Sequence, residues 1–452
     1  MTGNQTPGCP PGPAGPRETA GALPPNPLDT QLDRALAGPG GLAVKLARAR
    51  LDRLAHTCAF AAESSPFYRN LAGPELLRAA QGLRKALAGD IVPDRAEGLI
   101  LSVLRDLPLT QPADLALNPE SFLAVGQGEV EGLITVPSSG SGGQAKRIFS
   151  DSGDLKNTIE FFRYGMLNVL CPEKGTKVAL SMSGQRPGSV GQLLTEALAF
   201  HGVGCEVLGF MPDGQKELAA YRERLANYGA TTLVGLPSQI IYLARTGPKP
   251  KSLESVLLSG EPAPPSLVRG IAKAWGVEVF RHFGMTEFGL GGAVECRAQA
   301  GPHLREADLV WETLAPDGGP QNPGRVGSMV LTSLSRRAMP LIRYQTGDLG
   351  RLLPGPCRCG SVLRRIEVRG RSADLLIPGR EANDFGFILG DLAERLYDLP
   401  FVTSFSASLW PERLLRLTLG TVGPDNGGHG LDQARKAIEG TFAGRLRYEL
   451  RL

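Results

Sequence analysis

Apolar positions recur at helical spacing across residues 43–62, where Leu46, Leu51, Leu54, Cys58 and Ala61 share one stripe. This segment reads as an amphipathic helix docked on a larger body. Further along the period shortens. Apolar runs at residues 177–181, 231–235, 253–258 and 277–283 alternate with helical patterns at 192–201 and 216–228. Strands alternating with helices predict an α/β fold with mixed, largely parallel sheets. After Asp374 the pattern changes to a helix near 384–399, strands near 402–409 and 414–419, a Gly-rich loop at 423–430, a helix near 431–442 and a strand at 446–452. These elements predict a small α+β C-terminal cap domain. No internal repeat is visible.

The chain has 452 residues, beyond the size at which a single core stops growing, so two domains are expected. The divisions fall as a Pro/Gly-rich tail over residues 1–28, a large domain over 29–373 and the cap over 374–452. The tail carries C-P-P-G-P-A-G-P and L-P-P-N-P without the basic start and apolar core of a signal peptide, and reads as disordered. No apolar run reaches the roughly 18 residues a membrane helix requires. A net charge of +4 is small for this length and gives no warrant for a nucleic-acid partner. Arg343, Arg364, Arg365 and Arg369 could attract anionic ligands, although most of them read as a solvated basic face. Seven cysteines, an odd number, argue against a disulfide framework and for a reducing, cytoplasmic setting.

Candidate chemistry concentrates in a few segments. In Arg343-Tyr344-Gln345-Thr346-Gly347-Asp348 a turn-favouring glycine would leave the Asp348 carboxylate exposed beyond a strand end, where it could grip a vicinal diol. Taken alone, T-G-D also fits a polar turn. Residues 136–147 read V-P-S-S-G-S-G-G-Q-A-K-R, a loop whose amides, hydroxyls and terminal Lys146 suit a triphosphate, although a flexible linker has a similar composition. It is not the G-x-x-x-x-G-K-[ST] loop. Gly284-Met285-Thr286-Glu287 follows a strand run and places a hydroxyl beside a carboxylate, a pair suited to phosphate and Mg²⁺. Cys296, His303, Cys357 and Cys359 form a Cys₃His set of the type that structural zinc prefers. The alternative is that Cys296 is a small buried hydrophobe and His303 a satisfied polar group.

In this order the segments resemble the adenylate-forming superfamily of acyl-CoA synthetases, and within it the phenylacetate–CoA ligase branch. The resemblance runs from about Leu51 onward. It includes Ser65-Pro66-Phe67-Tyr68, Asp106-Leu107-Pro108-Leu109-Thr110, Gly235-Leu236-Pro237-Ser238, Ser259-Gly260-Glu261-Pro262, and the E-C, G-x-H and C-x-C groups at Glu295-Cys296, Gly301-Pro302-His303 and Cys357-Arg358-Cys359. It implies that Ser138, Ser139, Gly140, Ser141, Gly143 and Lys146 cradle phosphates, and that Thr286 and Glu287 meet phosphate and Mg²⁺. It further implies that Glu261 helps to bind the nucleotide, that Asp348 holds the ribose with Arg371 nearby, and that Asp374 is the hinge of the cap. The implied activity is ATP-dependent, AMP-forming ligation of a small, aromatic carboxylic acid to coenzyme A. The walls of the acid pocket are expected around Phe210, Gly260-Glu261 and His282-Phe283-Gly284.

Relatives continue past their last strand into a tail with a Gly-Lys segment, whereas this sequence stops at Arg451-Leu452. Gly142 and Gln144-Ala145 also depart from the family loop, and residues 375–380 keep only part of the family's apolar-Arg-Gly stretch. Adenylation is therefore expected to be inefficient unless a protein partner supplies the missing cation. Two other functions stay open, an acyl-protein synthetase and a nucleotide-binding protein without turnover. A homodimer is implied by the family alone.

Overall fold

The computed structural model describes residues 23–136, 146–170, 175–184, 188–379, 384–410, 414–422, 429–442 and 446–451. Helices α1 (Pro27–Ala35), α2 (Leu42–Ser64), α3 (Pro66–Leu87), α4 (Pro93–Arg105) and α5 (Pro112–Leu117) come first. The stripe predicted for residues 43–62 is the buried face of α2, with Leu46, Leu51, Leu54, Cys58 and Ala61 all in the core. Ser65 leaves the helical region at φ −89°, ψ 118° because the following Pro66 disfavours a helical backbone before it, and the chain bends into α3. Tyr68 is thereby sunk into the core, where its hydroxyl accepts the Ile342 amide at 2.7 Å and meets Thr110 Oγ1 at 3.1 Å. Thr110 in turn donates to the Ile342 carbonyl. The S-P-F-Y and D-L-P-x-T segments thus clamp the stretch that leads into T-G-D.

Strands β1 (Gly132–Val136) and β2 (Lys146–Ser150) form an antiparallel hairpin around the Ser/Gly loop. Ser138, Ser139, Gly140, Ser141 and Gly143 lie outside the described residues. Helix α6 (Ser152–Met166) starts at Asp151, whose carboxylate accepts the Asp154 amide. The expected alternation follows as β3 (Lys177–Ser181), α7 (Val190–Ala199), β4 (Gly204–Val207), α8 (Gln215–Tyr228), β5 (Thr232–Gly235), α9 (Pro237–Thr246), β6 (Ser255–Leu258), α10 (Pro265–Trp275) and β7 (Glu278–Phe283). These five strands pair in parallel in the order β4-β3-β5-β6-β7. Their side chains alternate between two cores. Val178, Leu180, Val234 and Leu257 pack under α6 and α7, while Ala179, Leu233, Val256 and Leu258 pack under α8, α9 and α10. Burial on both faces is why these strands read as near-continuous apolar runs.

The sheet continues with antiparallel neighbours: β8 (Ala293–Val294), β9 (His303–Leu304), β10 (Leu309–Leu314), β11 (Gly327–Ser333), β12 (Tyr344–Leu353) and β13 (Arg365–Arg371). The result is one mixed sheet of 11 strands. Beyond it lie β14 (Leu375–Ile377), β15 (Phe387–Ile388), α11 (Leu389–Tyr397), β16 (Val402–Trp410), β17 (Leu414–Thr421), α12 (His429–Phe442) and β18 (Arg447–Arg451). The small sheet β16-β17-β18 has its own apolar cluster with α11 and α12, including Leu392, Leu396, Leu415, Leu417 and Ile438. The helix expected from residue 384 starts only at Leu389, where the Asp391 carboxylate accepts the Ile388 amide and fixes the first turn. Among the described residues no helix is long and apolar enough to cross a membrane.

The basic face expected from Arg343, Arg364, Arg365 and Arg369 is not solvated. Arg343 makes a bidentate pair with Glu312, Arg364 joins Glu97 and Glu306, Arg365 donates to the Ala300, Pro354 and Gly355 carbonyls, and Arg369 reaches Glu367 and Asp391. A one-dimensional pattern shows the cations but not the acids that folding brings to them.

Candidate active site

The T-G-D segment differs from its sequence reading. Asp348 is not beyond a strand end but inside β12, and it is 5% exposed. The ladder between β11 and β12 slips here, with Val330 opposite Gln345 but Ser328 opposite Leu349. Gly347 sits at φ 78° within this bulge, a conformation that favours glycine. The bulge re-aims Asp348 at its cross-strand partner Arg371 on β13, and Arg371 Nη1 donates to Asp348 Oδ1 at 2.9 Å. The other oxygen, Oδ2, is buried without a hydrogen-bond partner among the described residues. Burial pushes the Asp348 carboxyl up to about 6, against the pull of Arg371 and with a further push from the Glu287 charge. Ser372 donates to the Gly347 carbonyl, and Asp374 accepts the Arg371 amide, so the turn after β13 is tied to the same bulge.

A second cluster joins residues almost two hundred positions apart. Lys146 Nζ donates to Glu287 Oε1 at 3.0 Å and to the Tyr344 hydroxyl at 2.9 Å, and that hydroxyl donates to the same Glu287 oxygen at 3.2 Å. Glu287 is set by the tight turn Thr286–Phe288, on which Thr286 is half-buried. The approach to this turn requires glycine, because a Cβ on Gly284 would lie 1.6 Å from the Leu290 carbonyl oxygen. Burial, then the Glu287 charge, push the Tyr344 hydroxyl far above its ordinary value, so it remains a proton donor. Tyr344 is the residue that sequence reasoning passed over. Its signal was present, four positions before Asp348, but nothing in the chain order showed that it meets Lys146 and Glu287.

Glu261 accepts the Ser238 amide and hydroxyl, both at 3.0 Å, and so caps the start of α9. Of the expected pocket walls, His282 lines a cavity under α6 and α7, whereas Phe210 is 51% exposed.

Cys296, His303, Cys357 and Cys359 come together, with their donor atoms all within 4.8 Å of one another. Cys296 Sγ lies 3.7 Å from Cys357 Sγ, and Cys359 Sγ lies 3.4 Å from His303 Nε2. His303 Nδ1 meets the Leu363 carbonyl at 2.9 Å, an arrangement that protonates Nδ1 and turns Nε2 toward the sulfurs. The neighbouring Glu295 holds the loop by accepting the Gly301 amide and the Arg281 guanidinium. The hydrogen bond from Cys296 pushes the Cys359 thiol well below its ordinary value, against its burial and toward the thiolate a metal ligand requires. The four groups could hold a single ion and leave no open position on it.

A family model described as AMP-binding enzyme matches residues 167–333. Over 365 residues the chain is 32% identical to the phenylacetate–coenzyme A ligase of Pseudomonas putida, covering 76% of this chain and 75% of that protein. It is 29% identical to the Thermus thermophilus enzyme of the same name over 74% of this chain and 72% of that one. A 2-hydroxyisobutyryl-CoA ligase solved with its acyl-adenylate in the postadenylation state has the same fold, at a TM-score of 0.71 and 19% identity over 89% of this chain and 85% of that one. The fold and the match define an adenylate-forming enzyme. Within that superfamily the chain belongs to the phenylacetate–coenzyme A ligase family of ATP-dependent, AMP-forming acid–CoA ligases.

Proposed function

We propose that this ligase activates an aryl carboxylic acid, of the phenylacetate class, as its acyl-adenylate and passes the acyl group to coenzyme A. The aryl preference is supported by the relatives named above. The observation that carries the site assignment is the bulge at Gly347, which leaves one oxygen of the buried Asp348 carboxylate without a partner, beside Arg371 and near the Glu287 charge. A ribose hydroxyl is a donor that would satisfy that oxygen.

In the reaction the acid's carboxylate attacks the α-phosphate of ATP in line, the α–β phosphoanhydride bond breaks and pyrophosphate leaves. Lys146, released from Glu287 and Tyr344, neutralises charge developing on the phosphates, together with the loop of Ser138, Ser139, Gly140, Ser141 and Gly143. Thr286 binds phosphate, and Glu287 would hold Mg²⁺, which when bound would supply charge neutralisation. Asp348 and Arg371 fix the nucleoside, and Glu261 braces the wall of the site through Ser238. In the second half the coenzyme A thiol attacks the acyl carbonyl and AMP leaves. We take Asp374 as the hinge on which residues 374–452 reorient between the halves.

We assign the Cys₃His group to structural zinc. For zinc–sulfur bonds of about 2.3 Å and zinc–nitrogen bonds of about 2.0 Å, a tetrahedron has edges of about 3.8 Å between sulfurs and about 3.5 Å between sulfur and nitrogen. The Cys296–Cys357 and Cys359–His303 separations of 3.7 and 3.4 Å support that choice. A cytoplasmic setting is supported by the free state of all five described cysteines.

The deciding experiment measures AMP and pyrophosphate release from ATP and Mg²⁺ with a panel of aryl and fatty acids, with and without coenzyme A. AMP formed with aryl acids and accompanied by a new acyl-CoA is the expected result. AMP that requires an acyl-carrier protein would make the chain an acyl-protein synthetase, and ATP binding without AMP would make it a nucleotide-binding protein.

A further inference from the structure

The cavity under α6 and α7 lies at the carboxyl ends of the parallel strands, where α/β sheets take their ligands. Phe161 and Phe162 from α6, Met182 beyond β3 and Leu257 on β6 wall it with apolar surface. Two polar groups break that lining. His282 stands near the end of β7, four residues before Thr286, and Ser259 follows β6. Their side chains meet, with Ser259 Oγ 2.9 Å from His282 Nδ1. We assign the Ser259 hydroxyl as the donor to Nδ1, the tautomer that puts the ring proton on Nε2. That Nε2 is sealed from solvent and has no partner among the described residues. Phe161 and Phe162 flank the imidazole with ring centroids 6.3 and 6.0 Å from it. Burial pulls His282 down to about 4, so it is neutral at pH 7 and does not attract a second carboxylate into the cavity.

A buried donor in an otherwise apolar pocket is a reader of substituents. Resting on the aryl-acid reading above, we propose that His282, oriented by Ser259, selects acids whose ring carries an oxygen substituent, a hydroxyl foremost, that accepts the Nε2 proton. As it stands the cavity measures about 30 Å³, room for about two waters but not for a ring. The ring therefore enters by displacing Met182, whose unbranched thioether repacks easily. His282 and Ser259 are the fixed points of the pocket, and Ser259 acts through His282 as a positioning residue.

The test compares kcat/KM for AMP release across phenylacetate, its three monohydroxy isomers and the three methyl isomers of the same size. The expected result is one hydroxy isomer favoured over phenylacetate and over its methyl counterpart by about 10- to 100-fold. In His282→Phe that ratio falls to near one, and in Ser259→Ala it falls part of the way. A hydroxy isomer no better than its methyl counterpart in the unaltered protein overturns the proposal without any variant and leaves the aryl reading standing. A ratio unchanged in His282→Phe also overturns it. Absence of AMP with every aryl acid overturns the aryl reading and this inference together, whereas turnover of phenylacetate alone overturns only the inference.

Discussion

Asp348 is held in a state that favours its own protonation. Its folded value of about 6 lies above the ordinary 3.8, so the folded chain binds this proton more tightly than the unfolded chain does. The carboxyl therefore favours folding at low pH, and that contribution is lost as pH rises through about 6. At neutral pH its ionised form costs on the order of 3 kcal/mol. Asp348→Asn is expected to raise Tm by several degrees at pH 7.5 and by little at pH 4, since the half-exposed Arg371 can be solvated instead. The same change is expected to weaken AMP binding about 10- to 100-fold, the loss of hydrogen bonds to a charged acceptor. In the unaltered protein AMP affinity should fall as pH drops from 7 toward 5. Calorimetry across that range checks both. The sequence singled out Asp348 as a candidate to hold a diol, but placed it in an exposed turn. A bulge adds one residue to one strand without altering composition, so T-G-D reads the same whether it ends a strand or bends one.

Whole elements were easier to read than their ends. The stripe on α2 and the parallel strands follow directly from burial on one face or on two, and a period is visible in a single sequence. Less legible was the stretch around Met339, Leu341 and Ile342, which is apolar and buried but irregular, because its polar backbone is satisfied by Tyr68 on α3 and by Thr110 in the segment before α5. Chain order could not show that pairing. Tyr68→Phe is expected to cost about 1–3 kcal/mol by leaving the Ile342 amide unpaired in the core, read as a lower urea midpoint at an unchanged slope. At the Cys₃His loops the residue types were legible, while the partner that aims His303, the Leu363 carbonyl, was not, since any residue could supply it. Cys357→Ser is expected to release about one equivalent of zinc by elemental analysis and to lower Tm in the same sample. Protein purified under reducing conditions without stoichiometric metal would overturn the zinc assignment.

Across the molecule, the C-terminal elements sit against α9 and α10 through the apolar Ala393, Tyr397 and Phe405 and through a set of charged groups. Arg245 donates to the Tyr397, Leu399 and Val402 carbonyls, while Glu394 accepts the Ser266 amide and pairs with Arg269, which also reaches Asp398. Water can replace these hydrogen bonds, which suits the reorientation proposed for residues 374–452. Arg245→Ala is expected to speed amide exchange in α11 and the start of β16 by at least tenfold while leaving β5 and β6 unchanged, and equal rates in the two proteins would mean that other contacts hold the cap. The change of pattern after Asp374 was visible in the sequence, but the docking was not, for it depends on carbonyls that every residue carries.

The Cys₃His group has a consequence for how the chain folds. Cys296 and Cys357 stand 61 positions apart, and β9, β10, β11 and β12 all lie between them. An ion shared by these loops closes that stretch into a ring, an event that costs a free chain roughly 3–4 kcal/mol in lost conformations. Metal captured early would thus confine the antiparallel strands while they search for register, and zinc added at the start of refolding should shorten that search more than zinc added at the end.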